Sequence, residues 1–228
     1  MAYFFLPRVG KDYQEGLQGV KTLVLGASFY CTAIKCPFRK ECIIDSRPFK
    51  DNCPSNRTTG KDLSHSCEIE IDSFLDGDDY YTSYENFTSL VCESFPNITK
   101  EFLWEHVAFY EYLQHFLDTW TTPQYRGHKQ MFSNDFEAME QVIKELEPEL
   151  IVIWGAPVRD AIKDLWPEDI IKLEEEDYNH WTTIYGEKIL LYYMHHPSAP
   201  QLQPKLVWND HVRFLRQAIE LVKNAKEK

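Results

Sequence analysis

The chain has 228 residues, of which 43% are hydrophobic, and this is enough apolar sequence for the core of one large domain. Its 24 basic and 36 acidic residues give a net charge of −12, which disfavours a nucleic-acid partner without excluding one. No apolar run approaches the ~20 residues of a membrane span, and the N-terminal run is too short for a signal peptide. We therefore expect a monomeric cytoplasmic protein with one domain over residues 1–228 and no membrane partner.

The N-terminal half contains one clear strand and a long irregular segment. Residues 21–25 predict a buried strand, and a polar turn follows at residues 26–30. Residues 31–81 lose periodicity and collect Cys, Pro, Asn, Asp and Lys, which is the composition of an inserted loop or small subdomain. Residues 84–91 indicate the start of a helix. Residues 104–113 are ambiguous, because their aromatic and β-branched content favours a strand while the flanks fit a helix.

The C-terminal half alternates helices and strands more clearly. Residues 133–147 predict an amphipathic helix, and the apolar run 150–154 predicts the strongest strand of the chain. Pro157 then begins a helix that extends to Leu165. The later predictions are a weak strand near residues 170–171, a strand at residues 189–194 and a final helix over residues 208–223.

Four predicted strands are nearly continuous in apolar residues, which is typical of a parallel sheet with helices on both faces. They lie near residues 21–25, 105–110, 150–154 and 189–194. The sequence therefore predicts an α/β fold, a three-layer α/β/α sandwich around a central four-stranded, mainly parallel sheet. Polar turns follow the first and last strands at the same edge of this sheet, where ligand sites form in open α/β folds.

Five of the six cysteines fall within the irregular segment. Their spacing matches no standard zinc or iron–sulfur pattern, so one interpretation is a set of reduced thiols. The other interpretation is a structural zinc ion that holds the insertion together. Its candidate ligands are Cys31, Cys36, Cys42 and Cys53.

The two polar turns resemble motifs of the uracil-DNA glycosylase superfamily. Its uracil-specific members have G-Q-D-P-Y after the first strand and H-P-S-P after the last core strand. Here residues 26–30 read GASFY and residues 196–199 read HPSA. Residues 151–155, IVIWG, resemble the family's strand that ends in L-L-W-G, and residues 107–111, VAFYE, stand where its base-reading strand is expected. The similarity covers most of the chain outside residues 31–81.

The resemblance is closest to bacterial glycosylase-like proteins with a Cys-containing insertion. It implies hydrolysis of the N-glycosidic bond to a flipped uracil or modified base in DNA, as in base-excision repair, with no required cofactor. The implied partner is DNA with a flipped or single-stranded base, or a free base or nucleotide.

The resemblance also assigns roles to individual residues. His196 would donate a hydrogen bond to the leaving base, Phe87 would stack on that base, and Ser198 would bond a DNA phosphate. Tyr30 would form the wall that screens the shape of the base, and Leu202 would wedge into the gap that the base leaves. The other base-binding positions are Gly26, Ala27, Phe29 and Glu111.

Two residues depart from the family pattern. Ser28 stands where the most active members have an aspartate that orients water and stabilises the cationic sugar, and a hydroxyl carries no charge. Glu111 stands near the position of a base-reading Asn. An ionised carboxylate only accepts hydrogen bonds, so Glu111 in a base pocket would favour an amino-bearing base over uracil. The alternative is that Glu111 faces solvent on a helix.

Three functions remain open at this point, and so does whether the protein is an enzyme. The first is a DNA glycosylase in which Ser28 and His196 are the catalytic residues. The second is a catalytically inactive protein that uses the same pocket to bind a base, nucleotide or partner; Ser28, Glu111 and the net charge favour it. The third is a flavodoxin-like small-molecule enzyme that shares only the fold. His195 is interpreted as structural.

Overall fold

The structure is a computed structural model that describes residues 4–31, 36–37, 62–78, 81–117, 133–165, 179–184 and 186–227. Over these residues it has six α-helices and one six-stranded mixed sheet, which confirms the predicted α/β class. The strands are β1 (Arg8–Val9), β2 (Thr22–Gly26), β3 (Val107–Glu111), β4 (Leu150–Trp154), β5 (Asn179–Ile184) and β6 (Glu187–Met194). The helices are α1 (Ser66–Asp76), α2 (Thr82–Ser94), α3 (Lys100–His106), α4 (Ser133–Leu146), α5 (Ala156–Leu165) and α6 (Lys205–Lys226).

The strand order in the sheet is β1-β3-β2-β4-β6-β5. The four predicted strands are the central ones, and they pair in parallel. Strands β1 and β5 add antiparallel edges, so the predicted count of four strands is corrected to six within the described residues. Strand β1 has only two residues, and a segment that short carries no periodicity that a sequence pattern could reveal.

Helices cover both faces of the sheet. Every residue of β2, β3 and β4 is buried, as their continuous apolar sequences predict. One core contains apolar side chains from α1, α2, α3 and α6, and the other contains side chains from α4 and α5. We call these the first and the second core.

The predicted helices agree closely with the observed ones. Helix α4 ends at Leu146, one residue before the predicted end, and α5 begins one residue before Pro157. The final helix is longer than predicted, because α6 spans Lys205–Lys226. The ambiguous segment divides into the end of α3 and the whole of β3. The weak strand predicted near residues 170–171 lies outside the described residues.

Part of the predicted insertion belongs to the main fold. Helix α1 lies within residues 31–81, and its side chains Cys67, Ile71 and Phe74 are buried in the first core. This spacing places one apolar face of a helix against the sheet. None of the described helices combines the length and the apolar character needed to cross a membrane.

Candidate functional site

The carboxyl ends of the four parallel strands bring polar side chains together at one edge of the sheet. Strand residues alternate between the two faces, so Gly26, Glu111 and Trp154 share the face of the first core at this edge. His196 follows β6 two residues after Met194, and its ring contacts Trp154 edge to face at 6.0 Å between centroids. Together with Ser28, two residues beyond Gly26, these residues form what we call the strand-end cluster.

His196 is held as a neutral hydrogen-bond donor. The backbone N–H of Ser198 donates to His196 Nδ1 over 3.3 Å, and the Ser198 hydroxyl lies 2.9 Å from the same nitrogen. Because Nδ1 accepts, the ring proton is on Nε2. Burial lowers the pKa of His196 to about 4, so the ring is uncharged at neutral pH. The imidazole therefore offers Nε2–H as a donor without carrying a charge.

Two contacts fix the turn that carries His196. The side-chain amide of Asn86 in α2 donates to the carbonyl oxygen of Pro197 over 2.7 Å. Gly155, which ends β4, has a φ of +87°, and a Cβ added there would lie 3.2 Å from the Cβ of His196. Only glycine adopts this backbone at low cost and leaves room for the His196 side chain.

Glu111 is buried, and its carboxyl group lies against the backbone of β2. The residue is 7% exposed, and a Cβ added at Gly26 would come within 2.6 Å of Glu111 Oε2. Burial raises the pKa of Glu111 well above its usual range, and the Glu70 carboxylate raises it further. Burial thus favours the protonated acid over the carboxylate, and the preference for an amino-bearing base stays a prediction. The alternative of a solvent-facing helical residue is wrong, because Glu111 is a buried residue of β3.

The surroundings of Glu111 come from α1 and α2. The Tyr84 hydroxyl donates to Glu70 Oε2 over 2.9 Å, which holds that carboxylate in place. Cys67 is buried beside Glu111, and burial, with a smaller contribution from Glu111, raises the pKa of its thiol well above its ordinary value. A thiol that stays protonated is a poor nucleophile and a poor metal ligand, so Cys67 belongs to the core.

Three polar atoms of the strand-end cluster are buried without a hydrogen-bond partner among the described residues. They are Ser28 Oγ, Glu111 Oε2 and Trp154 Nε1. Buried polar atoms in folded proteins are nearly always satisfied, so three unsatisfied ones at one sheet edge indicate a place for water or a ligand. Ser28 Oγ and Trp154 Nε1 carry a hydrogen and can donate a hydrogen bond, and Glu111 can donate only when it is protonated.

Several residues with predicted roles lie in the core. Phe87 is 0% exposed and packs against Trp154 and Trp104 at 5.1 and 6.0 Å between ring centroids, so a base would have to displace one of these rings to stack on it. Phe29 packs on Phe5, and Ala27 faces the second core. Of these three residues, Phe87 contacts the strand-end cluster, through the ring of Trp154. Tyr30 is partly exposed, and Ser198 is exposed.

The prediction that Leu202 is the wedge residue is wrong. Leu202 is 1% exposed and packs into the first core, whereas Leu206 in the first turn of α6 is 75% exposed. Leu206 lies off the helical stripe of buried residues that begins with His211 and Val212. A helical-phase analysis of α6 is the sequence signal that could have identified it.

The zinc prediction stays a prediction. Cys31 and Cys36 are partly exposed free cysteines, and Cys42 and Cys53 lie outside the described residues. Within the described residues, no group of three or more His, Cys, Asp or Glu side chains is arranged to hold a metal ion.

A hydrogen-bonded chain anchors the end of β6, and no sequence motif predicts it. The His195 backbone N–H donates to His211 Nε2 over 3.4 Å, and His195 Nδ1 lies 2.8 Å from the same nitrogen. His211 Nδ1 lies 2.8 Å from the Tyr192 hydroxyl, which donates to the His211 carbonyl oxygen. Since Nε2 of His211 accepts, its Nδ1 donates to Tyr192. His195 thus ties β6 to α6, in keeping with a structural role.

No protein-family model and no curated protein matches the sequence. One fold hosts many activities, so the function has to rest on the residues of the site. We therefore argue the function from the strand-end cluster.

Proposed function

We propose that the protein is a DNA glycosylase that hydrolyses the N-glycosidic bond to a flipped uracil or modified base. The observation that carries this proposal is His196, a neutral imidazole whose Nδ1 accepts from Ser198 and whose Nε2–H is left to donate. It lies at the carboxyl edge of a parallel sheet, beside Trp154, whose Nε1 is unsatisfied among the described residues. The motif resemblance of residues 26–30 and 196–199 agrees with this assignment.

The chemistry needs a donor of this kind. When the bond between C1′ and the base nitrogen breaks, its electron pair goes to the base and negative charge develops on a ring carbonyl oxygen. A preorganised N–H donor stabilises that charge, and a neutral imidazole does so without the cost of burying a cation. Removing one such donor from an active site typically lowers the rate by about 10²–10³-fold.

Ser28 is the residue that would position the attacking water. Its hydroxyl is buried and unsatisfied among the described residues, so it can orient a water molecule toward C1′. A serine hydroxyl does not remove a proton from that water at neutral pH, and it does not offset the charge of the cationic sugar. We therefore expect bond breaking to run ahead of water attack, with slow turnover.

DNA contact falls to the turn and the helix that follow β6. Ser198 is exposed next to His196, and its hydroxyl can reach a phosphate. Leu206 takes the wedge role that was expected of Leu202, because it is exposed and lies in the first turn of α6, which follows the turn after β6. Apolar wedges of this kind occupy the gap that a flipped base leaves in the stack.

The test is a strand-scission assay on oligonucleotides that carry uracil, hypoxanthine, xanthine or modified cytosine. We expect the wild type to excise at least one of these bases and His196→Ala to lose the excision. The matched control is His65→Ala, since His65 is a half-exposed histidine on the edge of α1. Equal activity in the wild type and His196→Ala would contradict the proposal.

A second candidate is a binding protein that recognises a base or nucleotide without cleaving it. The uncharged Ser28 favours it, as does the net charge of −12. For this candidate we expect no excision from any of the oligonucleotides. We also expect calorimetry to show that the protein binds a free base, and that His196→Ala binds it more weakly.

A further inference from the structure

We propose that His211 of α6 is a positioning residue for His196. It accepts a hydrogen bond from the peptide at which the chain leaves β6, and in this way it fixes where the following residues place the His196 imidazole. The inference deepens the proposed function and rests on it, because it concerns how the hydrogen-bond donor of the same site is aimed. His211 acts through the backbone of β6 and not through a contact with the base.

The peptide between Met194 and His195 is held at both of its polar ends. Its carbonyl oxygen accepts from the Gly155 N–H at the end of β4 over 2.9 Å. Its N–H donates to His211 Nε2 over 3.4 Å. Because a peptide unit is planar, two hydrogen bonds on opposite sides fix its orientation relative to β4 and α6. His196 is only one residue further along the chain.

The side chain of His195 is held by the same atom as its backbone. His195 Nδ1 lies 2.8 Å from His211 Nε2, and this nitrogen already accepts from the His195 N–H. His195 Nδ1 therefore carries a proton and donates it. Since the backbone and the ring of His195 converge on one acceptor, this residue cannot rotate about its N–Cα bond without breaking a hydrogen bond. The chain therefore enters the turn of His196 in one direction.

His211 is itself fixed by the sheet. It is buried, and its Nδ1 lies 2.8 Å from the hydroxyl oxygen of Tyr192 in β6. That hydroxyl donates its single proton to the His211 carbonyl oxygen over 3.2 Å, so it accepts from Nδ1–H. With the proton on Nδ1, His211 Nε2 keeps the lone pair that the His195 N–H needs. Tyr192 thus sets the tautomer of His211, and His211 sets the orientation of the peptide that follows β6.

An imidazole is well suited to this position. One ring nitrogen donates to Tyr192 and the other accepts from His195, and both nitrogens belong to one rigid plane. An amide side chain also has a donor and an acceptor, but it holds them at the end of a flexible chain. A phenyl ring fills a similar volume and has neither. We therefore expect His211→Gln to retain part of the positioning and His211→Phe to lose it.

The position of His196 matters most in the transition state. A hydrogen-bond donor stabilises the charge on the leaving base only if it is in place when the bond breaks. A displacement of about 1 Å can lower a rate by up to about 10²-fold, even when the substituted residue is far from the reacting atoms. We therefore expect His211→Phe to lower kcat by about tenfold or more, with a much smaller change in KM.

The first experiment measures the position of His196 without a substrate. The His196 ring contacts Trp154 edge to face at 6.0 Å between centroids, so the nuclear Overhauser effect between their ring protons reports this contact. We expect the effect in the wild type, a weaker effect in His211→Gln and its loss in His211→Phe. An unchanged effect in His211→Phe would overturn the inference, whatever the activity of the protein.

Leu215→Ala is the matched control for a loss of stability. Leu215 is a fully buried residue of α6, one turn after His211. Its truncation weakens the packing of α6 but removes no hydrogen bond at the end of β6. Below the unfolding temperature of every variant, Leu215→Ala should therefore keep the contact between His196 and Trp154.

The second experiment measures excision from the oligonucleotide that the wild type cleaves. We expect kcat to fall in His211→Phe, to recover in part in His211→Gln and to stay at the wild-type value in Leu215→Ala. KM should change little in all three variants. A fall in kcat that is as large in Leu215→Ala as in His211→Phe would overturn the inference, because it would follow from lost stability alone.

The outcomes separate the inference from the proposed function. An active wild type with an unchanged kcat in His211→Phe overturns the inference alone. If the folded wild type excises nothing, the glycosylase proposal fails, and the contact between His196 and Trp154 decides the inference. If His211→Phe does not fold, Tyr192→Phe replaces it in both experiments, because it removes the hydroxyl that sets the tautomer of His211. It should change the contact and kcat in the same direction, and no change in either would overturn the inference.

Discussion

At the level of single residues, burial drives two groups of opposite character to the same uncharged state. It lowers the pKa of the His196 imidazole to about 4 and raises that of the Glu111 carboxyl well above its usual range. In each group desolvation disfavours the charged form. A neutral imidazole donor at His196 suits the recognition of an uncharged base in the proposed function.

Glu111→Gln should stabilise the protein at alkaline pH. The native state holds a proton on Glu111 that the unfolded chain releases above its ordinary pKa of about 4.3, so this residue lowers the free energy of unfolding as the pH rises from that value toward the native pKa. Gln keeps the shape and has no such dependence. Urea melts at about pH 5 and about pH 8 should show a larger gain for the variant at the higher pH. A gain that is equal at both values would mean that Glu111 does not titrate abnormally.

His211 should make the protein sensitive to acid. It is 1% exposed, and burial, with a contribution from His195, lowers its pKa to about 4 from an ordinary 6.5. The unfolded chain binds a proton that the native state excludes. The stabilising contribution is therefore complete above pH 6.5 and is lost as the pH falls toward 4, by roughly 3 kcal/mol at about 1.4 kcal/mol per pKa unit.

The check is a series of urea melts across this range for the wild type, His211→Gln and His65→Gln. We expect the first variant to have a lower stability overall but a shallower dependence on pH. The exposed-histidine control should keep the wild-type slope. Parallel slopes in all three proteins would assign the acid sensitivity to other groups.

At the level of secondary-structure elements, contacts between neighbours in space position the site. Helix α2 is tied to the turn after β6 by the Asn86 amide, and α6 is tied to the end of β6 by His211. The turn that carries His196 is thus held from two helices of the same layer. A site built in this way depends on the packing of α2 against α6.

Asn86 tests this arrangement. Asn86→Ala removes a donor to the Pro197 carbonyl oxygen and should cost about 1 kcal/mol of stability. Asn86→Asp places an acceptor against that carbonyl oxygen and should cost more. Hydrogen exchange at Ser198 and Ala199 should speed up in both variants, since their N–H groups bond to His196 across the turn. Unchanged exchange would show that α2 does not hold the turn.

At the level of the whole molecule, the charge distribution bears on the DNA partner of the proposed function. The net charge is −12, and a cavity along α1 has an acidic lining. Its acidic residues are Asp62, Glu68, Asp72, Asp76 and Asp78. Phosphates are repelled from this surface, so the proposed function places DNA on the side of the turn after β6 and the start of α6.

Leu206→Ala tests that approach. The side chain is 75% exposed, so its removal should change the free energy of unfolding by less than about 0.5 kcal/mol. Excision from duplex DNA should fall more than excision from a single strand, because only the duplex has a stack to wedge open. Val9→Ala, at an exposed apolar residue of β1, is the matched control. An equal loss of excision from duplex and single-stranded DNA would contradict the wedge role of Leu206.

Local sequence patterns were sufficient for the central architecture. The strands β2, β3 and β4 are buried throughout and β6 is buried from Ile189 to Met194, so each contains an apolar run, and α4 and α5 show the period of a helix with one buried face. The polar turns after β2 and β6 could be assigned to one sheet edge, because parallel strands end on the same side.

The properties of the site depend on residues that are distant in the chain. The raised pKa of Glu111 depends first on burial and then on Glu70 of α1, and the tautomer of His196 depends on the fold of its turn. The burial of Leu202 and the exposure of Leu206 depend on where α6 packs. A periodic pattern reports which face of an element is buried. Protonation, hydrogen-bond direction and access depend on the atoms that other segments bring close, and only the folded chain specifies these.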